Sequence, residues 1–364
     1  IGQAAFDNCR GLTSVTIPEG VTHIGYQAFM ECQSLETIAI PASVTRIEDD
    51  AFIYCGRLKT FHVDEKNANY RAIDGLLCSK DGKTVVAGVS GDVTIPDGVT
   101  TIGDWAFCGR SEMFSEWPRT EDDGLTSLTI PESVTTIGDG AFQMCYDLVS
   151  LTIPSSLVDV ADDAFYGCSG LEDSDGFVIV NGTLHWVGDW GTSVEVPDGV
   201  TRIGGRAFAA HSGLKSVKIP PSVTCIGDDA FRGCDGLADS QGFVIVRDTL
   251  YGYVGKATSV TIPGHVKRIG RSAFRDCSKL KSVTLPAGLT SIGDAAFELC
   301  TSLKSVTIPA RVKNIGECAF ESCALTSVKI PASVTNIGAV AFLNYLKSFS
   351  VDGKNANYCA IDGL

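Results

Sequence analysis

The side chains able to do chemistry are spread thinly along the 364-residue chain, and their spacing limits what that chemistry can be. The five histidines, His23, His62, His185, His211 and His265, lie far apart, and no pair has metal-binding or catalytic spacing. Each is expected to face solvent or to be held by a hydrogen bond. Asp104, Asp139, Asp162, Asp163, Asp228, Asp229 and Asp294 recur just after an Ile-Gly pair or its equivalent. Paired carboxylates such as Asp228-Asp229 could do acid/base work. Their recurrence at one place reads instead as capping of the N–H groups of the Ala-Phe turn that follows. Asp173-Ser174-Asp175-Gly176 has the outline of a calcium loop, but the related Asp239-Ser240-Gln241-Gly242 lacks the second acid. No nucleophile elbow, zinc-protease, P-loop or dinucleotide fingerprint occurs. The expectation is a chain that is not an enzyme, with no catalytic residue, metal or cofactor.

Two groups of residues could bind. Rows of Ser and Thr alternate with apolar residues, and Lys215, Lys218, Lys281, Lys304, Lys329 and Lys347 join them toward the C-terminal half. This strip reads either as a solvated sheet face or as a ligand face. The second group is aromatic: His185, Trp186 and Trp190 in one inserted hairpin, corresponding to Tyr251, Tyr253 and Lys256 in another. These side chains either pack on the flank of the fold or serve as contact anchors for a protein or glycan.

The elements that position these groups follow from a period. Leu12–Ser34 is rewritten from Leu35 onward, and the Phe of an Ala-Phe pair returns at Phe6, Phe29, Phe52, Phe107, Phe142, Phe165, Phe208, Phe231, Phe274, Phe297, Phe320 and Phe342. Twelve coils of about 23 residues, some enlarged by insertions, imply a solenoid. Within a coil, Leu12, Val15 and Ile17 have the L-x-x-L-x-L spacing of a leucine-rich repeat strand, and Val15 and Ile17 alternate with Ser14 and Thr16. Pro18 ends the strand. Val21 and Ile24 predict a second short strand, Gly25 a tight bend, and Ala28, Phe29 and Cys32 one helical turn with an inward face. A single coil buries too little to fold alone, so stability comes from stacking.

The fold class expected is mainly β, a leucine-rich repeat solenoid of about twelve coils forming one elongated domain over 1–364, with both ends cut inside the repeat. Hairpin insertions are expected near 64–90, 172–192 and 238–258, the first turning at Asp81-Gly82, and a loop insertion near 108–124. Nine of the 14 cysteines share one inward slot. They read as buried thiols, because side chains in register point in parallel rather than at each other.

The net charge of −14 argues against nucleic acid and anionic membrane surfaces, and no apolar run is long enough to span a bilayer. The repeat, carried by Leu280, Val283, Leu285, Pro286, Leu289, Ile292, Gly293, Ala296, Phe297 and Cys300 and their equivalents, resembles the bacterial surface leucine-rich repeat family called BspA-like or Treponema-type, the LRR_5 group. The insertion containing Asn69-Tyr70, Asp74-Gly75 and Lys80-Asp81-Gly82 looks like a hairpin of that family. The resemblance implies a non-enzymatic recognition module, adhesin-like, on a cell-surface or secreted protein, and the partner expected is a protein or glycan, with a host as one source, bound by a monomer. Alternative roles are a spacer or targeting arm of a larger enzyme and an intracellular scaffold.

Overall fold

The computed structural model describes residues 1–109, 124–188, 191–343 and 346–358. They form a leucine-rich repeat β-solenoid with no α-helix among the described residues. The chain divides into two compact units: Ile1–Asp189 with Gly199–Ala207 and Ser222–Cys225, and Trp190–Asp198 with Phe208–Pro221 and Ile226–Leu364.

Most coils contribute a longer strand to one wall and a two-residue strand to another; the coil at residues 303–308 contributes only the short strand, Asn314–Ile315. In the first unit Ser14–Thr16, Thr37–Ile40 and Thr60–Val63 run parallel, in register through Val15, Ile38 and Phe61. Gly91–Thr94, Leu125–Thr129 and Ser150–Thr152 do the same through Val93, Leu128 and Leu151. In the second unit the pairs are Ser193–Glu195 with Ser216–Lys218, Ser259–Thr261 with Ser282–Thr284, and Ser327–Ile330 with Ser348–Val351. The short wall there runs continuously from Thr249–Tyr253 through Arg268–Ile269, Ser291–Ile292 and Asn314–Ile315 to Asn336–Ile337. Equivalent apolar residues meet in every register, which fixes it: a slip of one residue would turn each Val and Ile to water.

Two local expectations are corrected. The Ala-Phe-x-x-Cys segment is not a helical turn. Alternate N–H groups bond forward to the next coil, as in Phe29 N to Ala51 O at 2.9 Å and Phe142 N to Ala164 O at 2.9 Å, while those between them, such as Met30 N to Gln27 O, close turns within their own coil. Gln27 and Glu31 take left-handed backbone angles on either side of Phe29. The apolar spacing mimicked a helix because both conformations return a side chain inward after four residues. The Gly of the Ile-Gly pair is there for close approach rather than for a bend. A Cβ at Gly293 would lie 2.8 Å from Arg271 N of the preceding coil, and one at Gly316 2.4 Å from Asp294 N.

The Phe side chains stack from coil to coil with centroids 5.1 Å (Phe6–Phe29) and 5.0 Å (Phe142–Phe165) apart in the first unit, and 4.9 Å (Phe274–Phe297) and 5.1 Å (Phe297–Phe320) apart in the second. Beside them the cysteines are free thiols. Among the described residues, seven of those in the shared slot donate to the carbonyl of the preceding coil's Phe, among them Cys168 to Phe142 at 3.0 Å, Cys234 to Phe208 at 3.0 Å and Cys323 to Phe297 at 3.1 Å. The slot therefore suits a small apolar residue that still carries one donor. Burial pushes the Cys145 thiol up to about 12, well out of the reactive range.

Three segments depart from the plain coil. Tyr70–Ile73, Leu76–Ser79 and Thr84–Ala87 form an antiparallel meander with turns at Asp74-Gly75 and Asp81-Gly82, and its last strand pairs in parallel with Thr101–Ile102. Buried Asn67 locks its entry: Nδ2 donates to Pro41 O and Val44 O, and Oδ1 accepts from Asn69 N and Tyr70 N. The other two segments are antiparallel pairs, Phe177–Val180 with Thr183–Val187 and Phe243–Val246 with Thr249–Tyr253. In each, the second strand also joins the short wall, Leu184 beside Ile203 and Leu250 beside Ile269.

Candidate functional site

Of the two readings of the hairpin aromatics, packing or contact anchors, the structure gives packing for three residues that were candidate ligand contacts. His185 is fully buried and meets the Phe165 ring edge-on at 5.3 Å. Its Nδ1 donates to Asp162 O at 3.1 Å, while Nε2 has no hydrogen-bond partner. Burial lowers its pKa to about 4. Tyr251 is buried against Phe231 at 5.4 Å, and its hydroxyl donates to Gly227 O at 3.2 Å. Tyr253 is half-buried between Phe243 and Phe274, and its hydroxyl accepts from Ala257 N. These rings continue the aromatic column where an inserted coil supplies no Ala-Phe pair. Register also corrects the correspondence: His185 matches Tyr251, but Trp186 matches Gly252 and Val187 matches Tyr253. Trp186 is half-buried, edge-on to Tyr166 at 5.3 Å, with its indole N–H donating to Glu172 at 2.9 Å. Trp190 lies outside the described residues, as does the loop insertion over 110–123.

The suspected chemistry resolves into structure. Asp104 accepts from Asp139 N at 2.8 Å and Asp294 from Glu317 N at 2.9 Å, so these carboxylates tie one coil to the next rather than capping their own turn. Asp162 and Asp228 are engaged by Arg202 and Arg268. Asp173 and Asp239 each accept from two backbone N–H groups, Asp175 and Phe177 in one case, Gln241 and Phe243 in the other. That is a turn lock, not a calcium cradle, and no metal-binding cluster occurs among the described residues. His23 Nε2 lies 2.9 Å from Glu48, His211 donates to Phe208 O at 3.0 Å, and His62 and His265 are exposed.

The six lysines are all exposed. Lys215, Lys281, Lys304 and Lys347 occupy one position, after the inward Leu and before the strand's Ser. Lys218 and Lys329 occupy another, where most coils place Thr. Lys218 pairs with Glu195, and Lys329 lies 4.0 Å from Asp352. From Thr258 to Ser350 the outward positions of successive coils are Thr258, Ser259, Thr261, Lys281, Ser282, Thr284, Lys304, Ser305, Thr307, Thr326, Ser327, Lys329, Lys347, Ser348 and Ser350, with no carboxylate among them. In the first unit the same positions carry Glu36 and Asp92 and the exposed Val149. Unit by unit the contrast is larger. The first has 12 Lys and Arg against 29 Asp and Glu, a net of −17, and the second 17 against 14, a net of +3. The lysine strip was visible in the sequence, but this division was not, because it depends on where the units part.

The BspA type leucine rich repeat region family matches residues 1–74, 120–175, 191–241 and 244–357, in six copies. No curated protein matches. Among solved structures, a leucine-rich repeat protein of Eubacterium ventriosum is 23% identical over 89% of this chain and 68% of its own, with a TM-score of 0.36. One from Bacteroides ovatus is 27% identical over 97% and 82%, with a TM-score of 0.33. A leucine rich cell surface protein of Faecalibacterium prausnitzii is 21% identical over 97% and 92%, with a TM-score of 0.33. The family match covers well over half the chain, and the coils repeat the leucine-rich strand in register, so this chain belongs to the BspA-type leucine-rich repeat family.

Proposed function

We propose that this chain is a non-enzymatic recognition module of a cell-surface or secreted bacterial protein, and that it binds a protein or glycan through the outward face of its longer-strand wall. The observation that carries the reading is the wall of the second unit. Its outward positions from Thr258 to Ser350 present hydroxyl and ammonium groups coil after coil, on two parallel strand pairs, 259–261 with 282–284 and 327–330 with 348–351, with the coil at 305–307, which forms no strand, between them. Rigid, periodic polar surfaces suit an extended ligand, because the binding groups lose little freedom when they engage it. Membership of the repeat family supports a binding role, and the surface location rests on that kinship alone.

The test is binding of the purified chain to extracellular-matrix proteins and to a glycan array. Capture of a ligand that is lost on changing wall residues supports the reading. Capture unaffected by any change on the wall would move recognition elsewhere.

A further inference from the structure

The geometry points to a linear polyanionic polysaccharide, with a sulfate or carboxylate on each sugar, as the ligand of the second unit's wall. This inference rests on the reading of that wall as the recognition face.

Charge narrows the class first. Lys281, Lys304, Lys329 and Lys347 stand exposed on four successive coils, and no carboxylate shares their outward row. Lys281 and Lys304 have no ion-pair partner among the described residues, whereas Lys329 has Asp352 at 4.0 Å. The chain as a whole is strongly acidic, so attraction to a polyanion has to be local. At physiological salt, charges more than about 8 Å away are largely screened, which leaves this row in control of what approaches it.

Spacing narrows it further. The Phe rings beneath these coils repeat at 4.9, 5.1 and 5.4 Å. Lys281 and Lys304 occupy the same position on neighbouring coils and repeat at about that step, Lys329 on the next coil stands further along, at the position Thr284 holds, and Lys347 returns to the first position. A polysaccharide with one anionic group per sugar repeats its charge at a similar interval. The hydroxyls flanking each lysine, Ser282, Thr284, Ser305 and Thr307, can exchange hydrogen bonds with sugar hydroxyls between the anions.

Two competing classes fit less well. Single-stranded nucleic acid needs aromatic platforms for its bases, and the outward row from Thr258 to Ser350 has none. A protein partner needs apolar or aromatic anchors at the centre of the contact, and the row lacks those too.

The experiment measures affinity of the full chain for chondroitin sulfate, which carries one anion per sugar, against dextran, oligo(dT) and polyglutamate across a salt series. The same series is run on the quadruple variant Lys281→Gln, Lys304→Gln, Lys329→Gln, Lys347→Gln, and on Lys59→Gln from the first unit's wall. Melting curves verify that both variants fold. The expected result is chondroitin sulfate binding that weakens with salt, no dextran binding, affinity about tenfold lower or worse in the quadruple variant, and no change in Lys59→Gln. The inference is overturned by absent binding at low salt, by an unaffected quadruple variant, or by tighter binding of oligo(dT) or polyglutamate. A neutral glycan or matrix protein captured by this same wall would also overturn it while leaving the recognition reading intact.

Discussion

The inserted coils at Gly176 and Gly242 are near copies, and what they share differs in kind from what they do not. Both slip register at the same point, between Val178 and Ile179 and between Val244 and Ile245. Both enter through an Asp that holds two backbone N–H groups, and across both an Asp–Arg pair links the coil before to the coil after, Asp162 with Arg202 and Asp228 with Arg268. The side chains they carry differ: His185 against Tyr251 and Val187 against Tyr253 facing the interior, and half-buried Trp186 against Gly252. The backbone device is thus set by short polar locks, while the column accepts either an imidazole or a phenol at the His185/Tyr251 position. An aromatic in such a hairpin is therefore no sign of a contact surface by itself.

The largest effects are expected beneath the hairpins. Phe165→Ala and Phe231→Ala should each cost about 3–5 kcal/mol, since each empties the column under an inserted ring. Denaturant melts read this directly, and an unchanged curve for either would contradict an inward Ala-Phe slot.

The sharpest asymmetry is pH dependence. The folded pKa of His185, about 4, lies below the unfolded value of about 6.5. Above pH 6.5 both states are neutral and the group contributes no slope. As pH falls from 6.5 toward 4, the unfolded chain takes up a proton that the buried ring refuses, and stability drops by about 3 kcal/mol in total. His185→Tyr, which makes the coil like its sister, should remove that share. Burial raises the Tyr251 hydroxyl further above its usual range, so it adds nothing at these pH values. Identical acid limbs for wild type and variant would rule out the burial.

Smaller effects are expected at the rim. Trp186→Ala should leave the fold intact and cost about 1–2 kcal/mol, from the Tyr166 ring contact and the bond to Glu172. At the hairpin turn, Asn181 and Arg247 both adopt left-handed backbone angles, φ 50° and 56°. Asn tolerates that region better, so Arg247→Asn should stabilise by about 0.5 kcal/mol. A loss of stability would show that the arginine's contact with Pro220 O outweighs the strain.

The fold was readable because the period is repeated so often: strand, proline stop, short strand and inward Phe recur with fixed spacing, and stacking forces one register. The thiol slot was readable for the same reason, though not the carbonyl each thiol bonds. What escaped were relations between coils. Asp104 bonding to Asp139 N, Gly293 against Arg271 N, and the ring of His185 completing a column each depend on a neighbour tens of residues away. The Asp74-Gly75 turn was noticed only as part of a family motif. The lysine row could be seen, but its freedom from carboxylates emerged only once outward positions were known.

Recognition is proposed for the second unit's wall, whereas His185 and Tyr251 of the hairpins belong to the core. The most direct test compares ligand capture by Thr284→Trp, which puts a bulky ring in the middle of the wall, with capture by Trp186→Ala. Both variants are first shown to melt as folded proteins. Loss of capture in Thr284→Trp with retention in Trp186→Ala is the predicted result; capture that survives the wall change and disappears with Trp186 would contradict it.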